Sequence, residues 1–92
     1  MSYVFLLFGS NLGDRFKLIA DAVDQTQHLI GEFSGASSFY ESAPWGFDHE
    51  NKFLNKVILL NTSLTPHEIL HIIHRVESDM GRVRSDASIY SG

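Results

Sequence analysis

The 92-residue sequence contains no cysteine. That excludes disulfide scaffolds, thiolate metal sites and cysteine nucleophiles, and it suits a reducing compartment. Long apolar runs are missing too: no stretch approaches the roughly 18 residues that a transmembrane helix needs. The apolar start at 3–8 has no basic segment before it and runs straight into Gly9-Ser10-Asn11, which is not the build of a signal peptide. A soluble, cytoplasmic protein is expected. Basic residues are few, with seven Lys and Arg against eleven Asp and Glu, a formal net charge of −4. This argues against nucleic acid as a partner, because neutralising phosphates needs cationic side chains in excess. Proline occurs only at Pro44 and Pro66, and there is no internal repeat, linker or low-complexity segment. What remains is an ordinary globular composition, 43% hydrophobic and 20% charged, on a length that makes one small domain and leaves no room for a second.

Hydrophobic periodicity and punctuation give the order of elements. Residues 3–8 (Tyr-Val-Phe-Leu-Leu-Phe) are continuously apolar, β-branched or aromatic, as expected of a strand covered on both faces. Gly9-Ser10-Asn11-Leu12-Gly13-Asp14 then forms a turn, with Asp14 placed to cap a helix. Leu18, Ile19, Ala22, Val23, Leu29 and Ile30 recur at helical spacing, Thr26 fills the gap, and Gly31 closes the segment. Residues 33–42 read as a second strand, irregular or at an edge because Gly35, Ser37 and Ser38 weaken it. A loop with two large aromatics, Trp45 and Phe47, follows. Residues 53–62 form a third strand, with Leu54, Ile58 and Leu60 on one face and Phe53, Asn55, Val57 and Leu59 on the other. The second helix carries the clearest start: Thr65 as N-cap, Pro66 at its first position and Glu68 closing a capping box. It runs to Met80, where Gly81 stops it. The last eleven residues are polar and read as loop. The order β-α-β-β-α is a split βαβ pattern lacking its final strand, an α+β sandwich with both helices on one face of the sheet.

Several short patterns carry chemistry, each with a plainer reading beside it. His67-Glu68-Ile69-Leu70-His71 matches the zinc-protease signature. At 100° per residue, however, His67, His71 and His74 fall on the face opposite Ile69, Ile72, Ile73, Val76 and Met80, pointing away from the core. That suits adventitious chelation of nickel or zinc rather than a catalytic zinc in a cleft. The loop 9–13 sits between strand and helix, where phosphate loops occur, but it has no lysine for phosphates and is by itself a tight turn. Phe53 and Asn55 point to the same side of a strand, and the loop 42–47 can fold over the same place. A ring with a carboxamide beside it suits a flat heteroaromatic ligand; a core phenylalanine and a turn-capping asparagine suit the pattern too. Arg82 and Arg84, alternating on extended chain, point the same way and could grip a polyphosphate, or simply be solvated near a helix C-terminus. His74 and Glu77 are neighbours at i and i+3.

Taken in order, these stretches resemble the 6-hydroxymethyl-7,8-dihydropterin pyrophosphokinases of folate biosynthesis. The resemblance rests on Gly-Ser-Asn-Leu-Gly-Asp at 9–14, Ser-Ser-Phe-Tyr-Glu-Ser-Ala-Pro-Trp-Gly at 37–46 and Phe-Leu-Asn at 53–55. It continues through Thr-Ser-Leu-Thr-Pro-His-Glu-Ile-Leu at 62–70, Arg-Val-Glu at 75–77 and Gly-Arg-Val-Arg at 81–84. It implies a ferredoxin-like α+β sandwich, and an enzyme that moves the pyrophosphoryl group of ATP onto the pterin hydroxymethyl oxygen with magnesium as cofactor. By the same resemblance Ser42, Ala43, Pro44 and Trp45 would line the pterin pocket, Phe53 would stack on the pterin and Asn55 would bond its edge. His74 and Glu77 would touch the nucleotide. Arg82 and Arg84 would act catalytically on the phosphates, in the family's loop that closes over them.

The departures have consequences. Family members usually carry Thr-Pro where this chain has Ser42-Ala43, and often tyrosine where it has Phe53. The family also continues into a strand bearing Asp-x-Asp, which holds the magnesium ions. The aspartates here (14, 21, 24, 48, 79 and 86) include no such pair. The 92 residues are therefore expected to be the N-terminal part of a longer kinase, inactive alone, with small molecules (ATP and the pterin) as the partners of the whole. Without its fourth strand, the strand at 3–8 would keep one unpaired edge and invite self-association. The alternative is a non-catalytic ligand-binding or assembly module of the same fold.

Overall fold

The computed structural model describes residues 2–11, 13–42, 52–81 and 83–91, with backbone alone at 84 and 86–91. The loop residues Ala43, Pro44 and Trp45, and likewise Arg82, lie outside the described residues. The elements run β1 (Ser2–Ser10), α1 (Arg15–Ile30), β2 (Gly35–Ala36), β3 (Tyr40–Ser42), β4 (Phe53–Thr62), α2 (Pro66–Met80) and β5 (Arg84–Ser91).

Both helices begin where side-chain chemistry supplies partners for free backbone amides. Asp14 accepts from the Lys17 N–H at 3.2 Å. Thr65 and Glu68 bond each other's backbone N–H reciprocally, each at 3.2 Å, so the capping box is complete. Gly81 ends α2 at φ 79, a left-handed conformation that a side chain would strain. Ile69, Ile73 and Val76 of α2 are buried while His67, His71 and His74 are exposed, as helical spacing predicts.

All strand pairings are antiparallel, and the sheet order is β2-β4-β1-β5, with β3 also pairing β4. β2 and β3 are two pieces of one edge strand. From Ala36 to Tyr40 is four residues, while their partners Ile58 to Asn55 span three, so the edge carries one extra residue. Ser37 bridges the break: its N–H donates to the Val57 carbonyl at 2.8 Å and its hydroxyl accepts from the Val57 N–H at 2.9 Å. With β2 and β3 counted as one strand, the chain follows the ferredoxin-like β-α-β-β-α-β order.

Three expectations are corrected. The final strand is present: residues 84–91, read from sequence as loop, form β5 and pair along β1 from Ser2↔Ser91 to Gly9↔Arg84. β1 is thus an inner strand with both edges hydrogen-bonded, and the self-association expected through an open edge of 3–8 has no edge to use. β1 is also not covered on both faces. Val4, Leu6 and Phe8 are fully buried under the helices, while Tyr3, Phe5 and Leu7 on the other face are 48%, 41% and 38% exposed.

The core lies between the sheet and the two helices. Val4, Leu6 and Phe8 of β1 and Leu54, Ile58 and Leu60 of β4 meet Ile19 and Ala22 of α1 and Ile69, Ile73 and Val76 of α2. α1 packs on β1 and β4, and α2 on β5 and α1. Among the described residues, no helix is long and apolar enough to cross a membrane. Phe8→Ala is expected to destabilise the fold by about 3–5 kcal/mol through the cavity it leaves. Thr65→Ala, which removes only a cap, is expected to cost about 1 kcal/mol. Urea unfolding of the two variants measures the difference, and similar losses in both would contradict this placement of the core.

Candidate functional site

The chemically distinctive residues gather at one end of the sandwich, where β1 ends, β4 and β5 begin, α1 starts and α2 finishes. Register aligns four of them in a row across the sheet: Tyr40 opposite Asn55, Asn55 opposite Gly9, and Gly9 opposite Arg84. Strand alternation puts Gly9 on the same face as Tyr3, Phe5 and Leu7, the face without helices. Ser42 pairs with Phe53 one step along the same face.

Asn55 is the anchor of this row. It is only 7% exposed although its face of the sheet is open. Its Nδ2 donates to the Ser42 hydroxyl at 2.8 Å and to the Tyr40 carbonyl at 3.3 Å. A buried amide is costly without partners; here both amide hydrogens are committed to β3, which fixes Oδ1 as the acceptor side. Gly9 makes the space. A Cβ at that position would lie 2.9 Å from Asn55 Oδ1 and 3.5 Å from Phe53 Cδ1. Sequence punctuation reads Gly9 as the end of the strand; the structure puts it inside β1, where a glycine marks close approach of another group. That role, together with those of Tyr40 and Arg15, was not drawn from the sequence. An isolated glycine closing an apolar strand was the available signal for the first.

The other face of the same hairpin meets α1. Arg15 Nη1 donates to Glu41 Oε2 at 3.2 Å and to the Lys52 carbonyl at 2.8 Å. Phe16 stacks on Phe39, with ring centres 4.1 Å apart, and Lys56 Nζ lies 4.5 Å from the centre of the Phe39 ring. An open cleft of about 560 Å³ lies here, lined by Asp14, Arg15, Phe39, Glu41 and Leu54 among others. Phe53 and Asn55 do not line it, though Tyr40 does.

Among the described residues, the structure does not bring the expected pterin and nucleotide residues into one cluster. Ser42, Phe53 and Asn55 are together; His74 and Glu77 stand in the helix layer, His74 exposed and Glu77 half-buried. Glu77 Oε1 accepts from the Ser85 hydroxyl at 2.8 Å, tying the end of α2 to the start of β5. Arg84 joins the two groups by position, since its place in the register is opposite Gly9. Among the described residues, no three His, Cys, Asp or Glu side chains converge in a way that could hold a metal ion.

A solved structure with the same architecture is the de novo designed protein Foldit4, with a TM-score of 0.55 over 99% of this chain and 97% of that one; at 8% identity the likeness is of fold alone. Sequence comparison is more specific. The family model for 7,8-dihydro-6-hydroxymethylpterin-pyrophosphokinase (HPPK) matches residues 5–90. The 2-amino-4-hydroxy-6-hydroxymethyldihydropteridine pyrophosphokinase of Porphyromonas gingivalis is 42% identical over 91 residues, 98% of this chain and 62% of that protein. The enzyme of the same name from Aquifex aeolicus is 42% identical over 82 residues, 89% of this chain and 51% of its own length. The chain thus spans between about half and two thirds of the length of these relatives. With a family match that takes in all but the first four and last two residues, and with relatives 42% identical, the chain belongs to the 7,8-dihydro-6-hydroxymethylpterin-pyrophosphokinase family.

Proposed function

We propose that the complete protein transfers the pyrophosphoryl group of ATP to the hydroxymethyl oxygen of 6-hydroxymethyl-7,8-dihydropterin, releasing AMP, as a cytoplasmic step of folate biosynthesis, and that residues 1–92 supply its pterin-binding part. The observation that carries this reading is the buried Asn55 amide, held by Ser42 and Tyr40 beside Phe53 in a chain of this family. Its Oδ1 matches the N–H donors on the aminopyrimidinone edge of a pterin, and the Phe53 ring offers a surface on which the flat heterocycle stacks. Ala43, Pro44 and Trp45 belong to the same pocket in this reading.

Transfer of this kind depends on positioning and on neutralising charge at the phosphates. Arg82 and Arg84 are the cations proposed for that role. His74 and Glu77 belong to the nucleotide side, and the Glu77–Ser85 bond holds the start of β5, and with it the backbone at Arg84. Magnesium supplies further neutralisation in phosphoryl transfer. The described residues do not form a site for it, so no residue of this chain is assigned to the ion. Because the sequence contains no Asp-x-Asp pair, the 92 residues are proposed to bind the pterin without transferring pyrophosphate.

Calorimetric titration with 6-hydroxymethylpterin tests the pocket. Asn55→Ala is expected to weaken binding by about 1–3 kcal/mol through the lost polar partner. Phe53→Ala is expected to weaken it through lost stacking. Gly9→Ala should act in the same direction, because its Cβ has no room beside the Asn55 oxygen. Unchanged affinity in both the Asn55 and Phe53 variants would remove the pocket from this place.

Arg82→Ala is expected to act differently, lowering turnover of the complete protein with little effect on pterin affinity, since charge at the phosphates develops in the transition state. Steady-state kinetics separate the two effects. A loss confined to affinity would count against the role. Retained pterin binding with no transfer by the complete protein would instead favour the non-catalytic module.

A further inference from the structure

We propose that Arg15 is a positioning residue for the pterin pocket: from the first turn of α1 it clamps the two chain segments that present Ser42, Phe53 and Asn55. The inference rests on the pterin reading above and extends it to a residue on the opposite side of the sheet.

The hairpin that carries the pocket is weakly held by its own backbone. β3 has three residues and pairs only with β4 among the described strands, through Tyr40↔Asn55, Glu41↔Leu54 and Ser42↔Phe53. So short an edge strand opens easily. Yet the Asn55 amide takes its orientation from β3, from the Tyr40 carbonyl and the Ser42 hydroxyl. Whatever holds β3 in place holds the amide.

Arg15 is placed to do so. One nitrogen, Nη1, donates to Glu41, the residue between Tyr40 and Ser42, and to the carbonyl of Lys52, the residue before Phe53. The two acceptors stand on either side of the connection 43–51, so a single guanidinium sets the spacing between its ends. Strand alternation explains why the contact leaves the pocket open: Glu41 and Leu54 face α1, while Ser42, Phe53, Tyr40 and Asn55 face the other way. The Arg15 and Glu41 side chains are 33% and 52% exposed, so the pair adds little to global stability. Its effect is local, on the opening of a three-rung hairpin.

Amide hydrogen exchange and 6-hydroxymethylpterin titration of the 92-residue chain, as wild type, Arg15→Ala, Arg15→Lys and Lys17→Ala, test this. Lys17 lies in the same helical turn and pairs at 2.9 Å with Asp21, away from the hairpin, so its loss controls for removing one positive charge. Arg15→Ala is expected to speed exchange at 40–42 and 53–55 about three- to tenfold, as loss of one charge-assisted tie allows. Exchange at 58–60 should stay unchanged, and pterin binding should weaken by a similar factor. Lys17→Ala should alter neither, and Arg15→Lys should restore part of both. Unchanged exchange at 40–42 in Arg15→Ala overturns the clamp, as does an equal loss in Lys17→Ala. Faster exchange with unaltered pterin affinity overturns the positioning role. If the wild-type chain binds no pterin, the ligand reading fails, and the exchange result alone decides whether Arg15 holds the hairpin.

Discussion

The double ladder along β1 is the constraint on which the rest of the structure depends. Nine residues of β1 pair with β4 on one edge and eight with β5 on the other. Because both edges are fixed, the alternation of β1 is fixed as well, and Val4, Leu6 and Phe8 must all face the helices. A one-residue slip would turn Tyr3, Phe5 and Leu7 inward and move Gly9 out of line with Asn55. The core and the candidate site are therefore set by the same register.

That register sorts the chemistry onto two faces. On the open face lie Ser42, Phe53, Asn55 and Gly9, a ring and a fixed amide in a space cleared by the missing side chain. On the covered face lie the ion pair of Arg15 with Glu41 and the aromatic stack of Phe16 on Phe39. The hairpin β3–β4 is shared by both, so a contact made under the sheet bears on a group displayed above it. The Glu77–Ser85 bond does the same for β5, linking the end of α2 to the strand that borders the site. Tyr3, Phe5 and Leu7 form a half-exposed apolar surface on the same open face.

Where sequence reading succeeded, the signal was local. Asp14, Thr65, Glu68 and Gly81 set helix ends through bonds to neighbours three or four residues away, which the structure contains, and Pro66 does so through its fixed φ at the first helical position. The spacing of Leu54, Ile58 and Leu60 gave the buried face of β4 for the same reason. β5 failed as a prediction because Arg-Ser-Asp-Ala-Ser-Ile-Tyr-Ser has weak strand propensity, and it forms where β1 offers a free ladder. Only the alternation Val83, Ser85, Ala87, Ile89, small or apolar at every second position, hinted at it. The error about β1 followed directly, since a strand without its neighbour looks like an edge.

By itself the sequence determined the helix boundaries, the two-period face of β4, the α+β class and, through an ordered set of short motifs, the family. These are properties of residues close together in the chain or of motifs whose order is linear. Tertiary structure alone decided that β1 lies inside the sheet, that Gly9 leaves space beside the Asn55 amide, and that Arg15 reaches across to Glu41 and Lys52. Each of these joins residues far apart in the chain, and which partner they meet depends on the strand register, which no local pattern in this sequence encodes.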